Sequence, residues 1–153
     1  MDDLPPSPHA ALIARGVMRH LDRQGWVSVA EFTLASGRRA DVIALDEGGR
    51  LLIVEVKTCA ADFRSDRKWR EYLDYCDLFA FAVPDGFPVA LLPPETGLLV
   101  ADGYDAVGHR PPATAPAPLA PARRRQVLLR FARVAADRLR RGLDPEDGLD
   151  GGA

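Results

Sequence analysis

Two Gly-containing turns, Ala35-Ser36-Gly37 and Glu47-Gly48-Gly49, separate three apolar, β-branched runs, and this punctuation constrains the chain more than any other feature. Trp26 to Leu34, Arg38 to Leu45 and Arg50 to Thr58 are expected to be successive strands of an antiparallel meander, because three-residue hairpin loops favour glycine in the left-handed position. Such loops also fix register. With 47–49 as the loop, Asp46 faces Arg50 and Asp41 faces Glu55; with 35–37 as the loop, Leu34 faces Arg38 and Glu31 faces Asp41. Alternation along the third strand puts Glu55 and Lys57 on one face and Val54 and Val56 on the other. Three acids from three adjacent strands are therefore expected to line up with Lys57, on a face otherwise built from Val27, Val29, Ile43 and Ile53.

That arrangement is costly unless it has a use. An ionised carboxylate taken from water without a partner costs several kcal/mol, and neighbouring carboxylates repel one another. A divalent cation removes the penalty, and Mg²⁺ (or Mn²⁺) prefers one or two carboxylates together with water and phosphate oxygens. Asp41, Glu55 and the Val56 carbonyl are the expected metal ligands, with Lys57 placed to orient an attacking water or stabilise developing charge. Glu31 is the candidate for any additional catalytic acid. Glu-x-Lys alone also suits a salt bridge on a wet face, with Asp41 paired to Arg38 or Arg39; the register and the apolar neighbours favour the site.

The rest of the chain surrounds this meander. Pro8 to Gln24 reads as an amphipathic helix stopped by Gly25. From Asp62 to Cys76 the spacing predicts another, with Trp69, Tyr72, Leu73 and Cys76 at i, i+3, i+4 and i+7; Trp69 and Tyr72 are expected in the core. Leu78 to Val83 and Gly97 to Ala101 read as further strands of the same sheet. Residues 110–121 carry five prolines and predict an extended linker between a core at 8–109 and a basic amphipathic helix at 122–141, which holds eight arginines against one acid. The ends, 1–7 and the acidic 142–153, are expected to be disordered. A chain of 153 residues, 47% hydrophobic, can bury one core, so the fold class expected is α/β, a mixed sheet flanked by helices.

A formal charge of −2 argues against a general nucleic-acid coat protein but leaves room for local basic surfaces. Candidates for phosphate contact are Arg39, the group Arg64, Arg67, Lys68 and Arg70 following the third strand, and Arg123, Arg124 and Arg125 on the last helix. Two cysteines are too few for a structural zinc site, and no signal segment or long apolar run is present, so a cytoplasmic protein is expected.

Asp41 followed by Glu55-Val56-Lys57 resembles the PD-(D/E)xK nuclease superfamily, with Ala40 in place of the proline. More particularly, Gly37-Arg-Arg-Ala-Asp41, Glu55-Val-Lys57, Ala61-Asp-Phe63, Asp66-Arg-Lys-Trp69, Glu71-Tyr-Leu-Asp-Tyr-Cys-Asp77, Phe81-Ala-Val83 and Gly97-Leu-Leu-Val-Ala-Asp102 resemble the MmcB-like DNA repair family of bacteria, from about His9 to Arg140. The resemblance implies a restriction-endonuclease-like core and a metal-dependent nuclease acting on DNA. It also implies a role in damage tolerance beside a translesion polymerase or accessory repair factor. The alternative is a non-catalytic adaptor that keeps the fold and binds DNA or a repair partner through its arginine-rich helices.

Overall fold

The computed structural model describes residues 6–66 and 68–145. The first helix, α1 (Pro8–Arg23), begins where Ser7 accepts a hydrogen bond from the Ala10 N–H at 3.1 Å and Pro8 supplies the first helical residue. Its buried stripe is Ile13, Val17 and Leu21, and the chain leaves it through Gly25, at φ +87°. Three strands follow as the expected meander: β1 (Val27–Thr33), β2 (Arg39–Leu45) and β3 (Leu51–Val56).

Beyond the meander the sheet becomes mixed. The connection from β3 to β4 (Leu78–Val83) contains α2 (Ala60–Ser65) and a 3-10 helix over Trp69–Tyr75, and β4 then lies parallel to β3. β5 (Gly97–Ala101) is parallel to β4, and β6 (Ala106–Arg110) returns antiparallel. Among the described residues seven strands form one open sheet, ordered β1-β2-β3-β4-β5-β6, while β7 (Ala113–Thr114) pairs with β4 at Leu78 and Phe79. The last helix is α3 (Pro121–Leu143).

Every residue of β3 is buried, because the sheet is covered on both faces. Val42, Ala44, Leu52, Val54, Ala80 and Ala82 pack with α1 on one side. Ile43, Ile53, Phe79 and Phe81 pack on the other with Trp69, Tyr72 and, from α3, Val127 and Phe131. Trp69 stacks on Phe79 at 5.5 Å and meets Phe81 edge-on at 5.3 Å, so both it and Tyr72 are core residues, as their spacing implied.

Two expectations are corrected. The single helix over 62–76 is instead α2 and a 3-10 helix, parted around Asp66, whose extended backbone (φ −89°, ψ 100°) is incompatible with continuing the helix. The segment 110–121 is extended, but it is no free spacer. β7 pairs with β4, the Ala115 N–H bonds to the Asp77 carbonyl at 2.8 Å, and Ala115 and Leu119 are buried. Gly97 explains the close fit: a Cβ there would lie 2.6 Å from Pro112 Cα. The described part of the ends includes Ser7 capping α1, and α3 reaches Leu143; residues 1–5 and 146–153 lie outside the described residues.

Candidate functional site

Both hairpins close as the turn chemistry requires. Leu34 and Asp46 each donate an N–H to the carbonyl across the turn, Arg38 and Arg50, with Gly37 and Gly49 at φ +89° and +88°. The resulting register pairs Val42 with Val54 and Phe32 with Ala40, which sets Asp41 opposite Glu55 and beside Glu31.

At Asp41 the side chains take over from the ladder. The Asp41 N–H donates to Glu55 Oε1 at 3.1 Å, and the Val56 N–H donates to Asp41 Oδ2 at 2.8 Å. Each carboxyl thus reaches across to the main chain of the opposite strand, and the two carboxyls also interact directly. Burial pushes the Asp41 carboxyl up, against the pull of its hydrogen bonds and of Lys57. Glu55 is driven well above the ordinary carboxyl range, first by burial and then by the charge of Asp41.

Lys57 remains in line with β3 because its N–H bonds to the Ala82 carbonyl at 2.9 Å. Its side chain is buried, and the ammonium donates to Asp66 Oδ2 at 2.7 Å. Asp66 is the one acid in the basic stretch 64–70, and the break between α2 and the 3-10 helix delivers it here. Burial would raise its carboxyl, but the bonds from Lys57 and from the Lys68 N–H at 2.9 Å, with the charges of Lys57 and Arg38, hold it below the ordinary range. Arg38 lies 3.7 Å from Asp66 and 3.8 Å from Glu71, with its guanidinium 4.9 Å from the Tyr72 ring centroid. The Tyr72 hydroxyl donates to the Arg39 carbonyl at 3.0 Å. Sequence reasoning missed Asp66, Arg38 and Tyr72 as a group; the lone acid among arginines was the available signal for the first.

Glu31 does not join the cluster. It occupies the left-handed region at φ +51°, where alternation fails: Val29 and Phe32, three apart, enter the same core. Its side chain is 43% exposed and lies 3.8 Å from Arg39. Among the described residues no group of three or more His, Cys, Asp and Glu is placed to hold a metal ion. The oxygen donors that remain fit Mg²⁺ or Mn²⁺: two interacting carboxyls, Glu55 buried and Asp41 half-buried, both with proton affinity raised, are relieved by a shared proton or by a cation.

The cations divide. Arg64 and Lys68 are exposed on the segment after Lys57, and Arg125 is exposed on α3. Arg70 is 3.8 Å from Glu95 and lies over Trp69, while Arg123 lies 4.3 Å from the Tyr75 ring centroid and donates to the Asp74 carbonyl. Arg124 is engaged in structure, donating to both Asp77 oxygens at 2.6 and 2.8 Å and to the Gly49 carbonyl at 3.1 Å. Arg67 lies outside the described residues.

No helix among the described residues is long and apolar enough to cross a membrane. The chain is similar to a solved protein of unknown function from Silicibacter pomeroyi, with 46% identity, a TM-score of 0.83, and alignment over 99% of this chain and 97% of that one. No curated protein matches it. The DNA repair protein MmcB-like family matches residues 2–146, nearly the whole chain and all of the site just described, and the protein belongs to that family.

Proposed function

We propose that this protein is a divalent-metal-dependent DNA endonuclease that hydrolyses phosphodiester bonds in damage repair or tolerance. The observation that carries the reading is the pairing of half-buried Asp41 on β2 with buried Glu55 on β3, each carboxyl bonded to the main chain of the other strand, with Lys57 two residues beyond Glu55. Membership of a DNA repair family supports the substrate class.

Asp41 and Glu55, with the Val56 carbonyl, would hold Mg²⁺ or Mn²⁺. Such an ion, when bound, polarises a phosphoryl oxygen and acidifies a coordinated water. The protein's own groups then orient the phosphate. The Lys57 ammonium, held by Asp66, is positioned to turn to a phosphate oxygen or the attacking water while Arg38 stays beside Asp66. Exposed Arg64 and Lys68 supply charge next to the site for flanking phosphates. A translesion polymerase or accessory factor as partner belongs to the same proposal.

The adaptor reading draws on two observations: Lys57 bonds to Asp66, and among the described residues no third acid completes the pair. Calorimetric titration of Mn²⁺ and Mg²⁺ into the wild type, Asp41→Ala and Glu55→Ala, with circular dichroism on each, separates the two. Metal binding that is lost in both folded variants, with cleavage of damaged or branched DNA lost in parallel, is expected for the nuclease. Wild-type protein that binds no metal even beside an oligonucleotide, yet still binds DNA, would leave only the adaptor.

A further inference from the structure

A groove of about 520 Å³ runs between α1 and the edge strand β1, and Asp41 is among the residues lining it. Ala10, Ala11 and Ala14 keep its helical wall low, and Met18 and Val27 give it an apolar surface. Val27 is 57% exposed, a large apolar side chain that the rest of the described structure leaves uncovered. On the rim stand Arg15 and Arg19, both exposed, and neither forms an ion pair among the described residues. Residues four apart on a helix have Cβ atoms about 5–6 Å from one another, so the two guanidiniums can follow consecutive phosphates of one strand.

Apolar surface for a base face, with free cations beside it, is the combination that binds single strands. The volume suits one nucleoside rather than a base pair with two backbones. Asp22 and Glu31 also line the groove and would repel phosphate there, leaving the Arg15–Arg19 rim as the place for the backbone.

We infer that this groove seats an unpaired nucleotide of the strand being cut, its base over Val27 and Met18 and its phosphates on Arg15 and Arg19. The inference rests on Asp41 and Glu55 forming a phosphodiesterase centre, and it assigns the substrate as single-stranded or locally unpaired DNA.

The test is fluorescence anisotropy in Mg²⁺ with a labelled single-stranded oligodeoxynucleotide and a matched hairpin duplex, on a Lys57→Ala background so that binding is read without cleavage. Arg15→Ala with Arg19→Ala should weaken single-strand binding about tenfold and reduce the slope of log affinity against log salt by about 1.4. Ala11→Trp, which fills the groove without changing charge, should weaken it as well, and Arg133→Ala on α3 should leave it within about twofold. Preference for the duplex, no single-strand binding at all, or equal losses from Arg133→Ala and the Arg15/Arg19 pair would overturn the assignment. The two readings fail differently. If proteins carrying Lys57 cut no DNA while the groove variants lose strand binding, the catalytic reading falls, and with it the assignment of the bound strand as the one cut, leaving the groove as a strand-binding surface only; if they cut DNA and the groove variants bind normally, the groove assignment falls.

Discussion

Lys57 and Asp66 hold each other at 2.7 Å in a largely buried setting, so the lysine is oriented before any substrate arrives. If Lys57 stabilises charge during phosphodiester cleavage, Lys57→Ala should lower single-turnover cleavage by about 10²–10³-fold. Asp66→Asn keeps the shape and removes the charge that fixes the ammonium. Its expected effect is a fall in kcat of up to about a hundredfold with little change in KM, as for a group displaced from its working position. Unaltered kcat in Asp66→Asn would show that the contact is structural only. At this scale the sequence was legible for Asp41, Glu55 and Lys57, because hairpin register follows from loop length. It was misleading about where Glu31 would lie, because no pattern of apolar residues marks the one position among the described residues where a non-glycine backbone enters the left-handed region and alternation shifts.

Among the elements, α3 departs furthest from a free basic helix. Phe131 meets Phe32 at 6.3 Å, Arg130 and Arg138 donate to carbonyls of the edge strand β1, and Arg124 forms a two-bond pair with Asp77. The helix thereby covers an edge that would otherwise invite strand pairing. Arg124→Ala should cost about 1–2 kcal/mol by urea denaturation, since charged hydrogen bonds are lost at a partly screened site. Phe131→Ala should cost about 3–5 kcal/mol. The arginine pair also sets a pH dependence. Its bonds hold the Asp77 carboxyl below the ordinary range, so this contribution is complete above the unfolded value, about 3.9, and is lost as pH falls through the lower folded value. Denaturation midpoints measured from pH 6 down to pH 2 should converge between wild type and Arg124→Ala; a constant gap would contradict the assignment. The arginine count was visible in the sequence, but the carbonyls that these side chains bond belong to strands roughly a hundred residues earlier, which helical periodicity cannot reveal.

At the scale of the whole molecule, the last helix is packed into the core rather than appended to it. Leu119, Val127 and Phe131 share a core with Ile53 and Phe79, and β7 completes the length of β4. A chain ending at residue 109 should therefore fail to show a cooperative thermal transition by circular dichroism; normal melting of that fragment would make the C-terminal third dispensable. On the opposite face, a Cβ at Gly16 would overlap the Asp102 carbonyl oxygen, so α1 sits directly on the turn between β5 and β6. Gly16→Ala should destabilise by about 1–3 kcal/mol as the helix is forced from the sheet, with a lowered melting temperature as the readout.

The sequence by itself determined the meander, its two turns and the meeting of Asp41 with Glu55, because those follow from local turn chemistry and the two-residue period of a strand. It also determined that β4 and β5 would be buried strands, since their apolar runs need cover on both faces. Only the tertiary structure decided that Asp66 would claim Lys57, that Glu31 would turn outward and that a proline-rich segment would be built into the sheet. Each of these depends on contacts between segments whose separation in the chain carries no periodic signal, and their energies arise only when the sheet has brought both partners together.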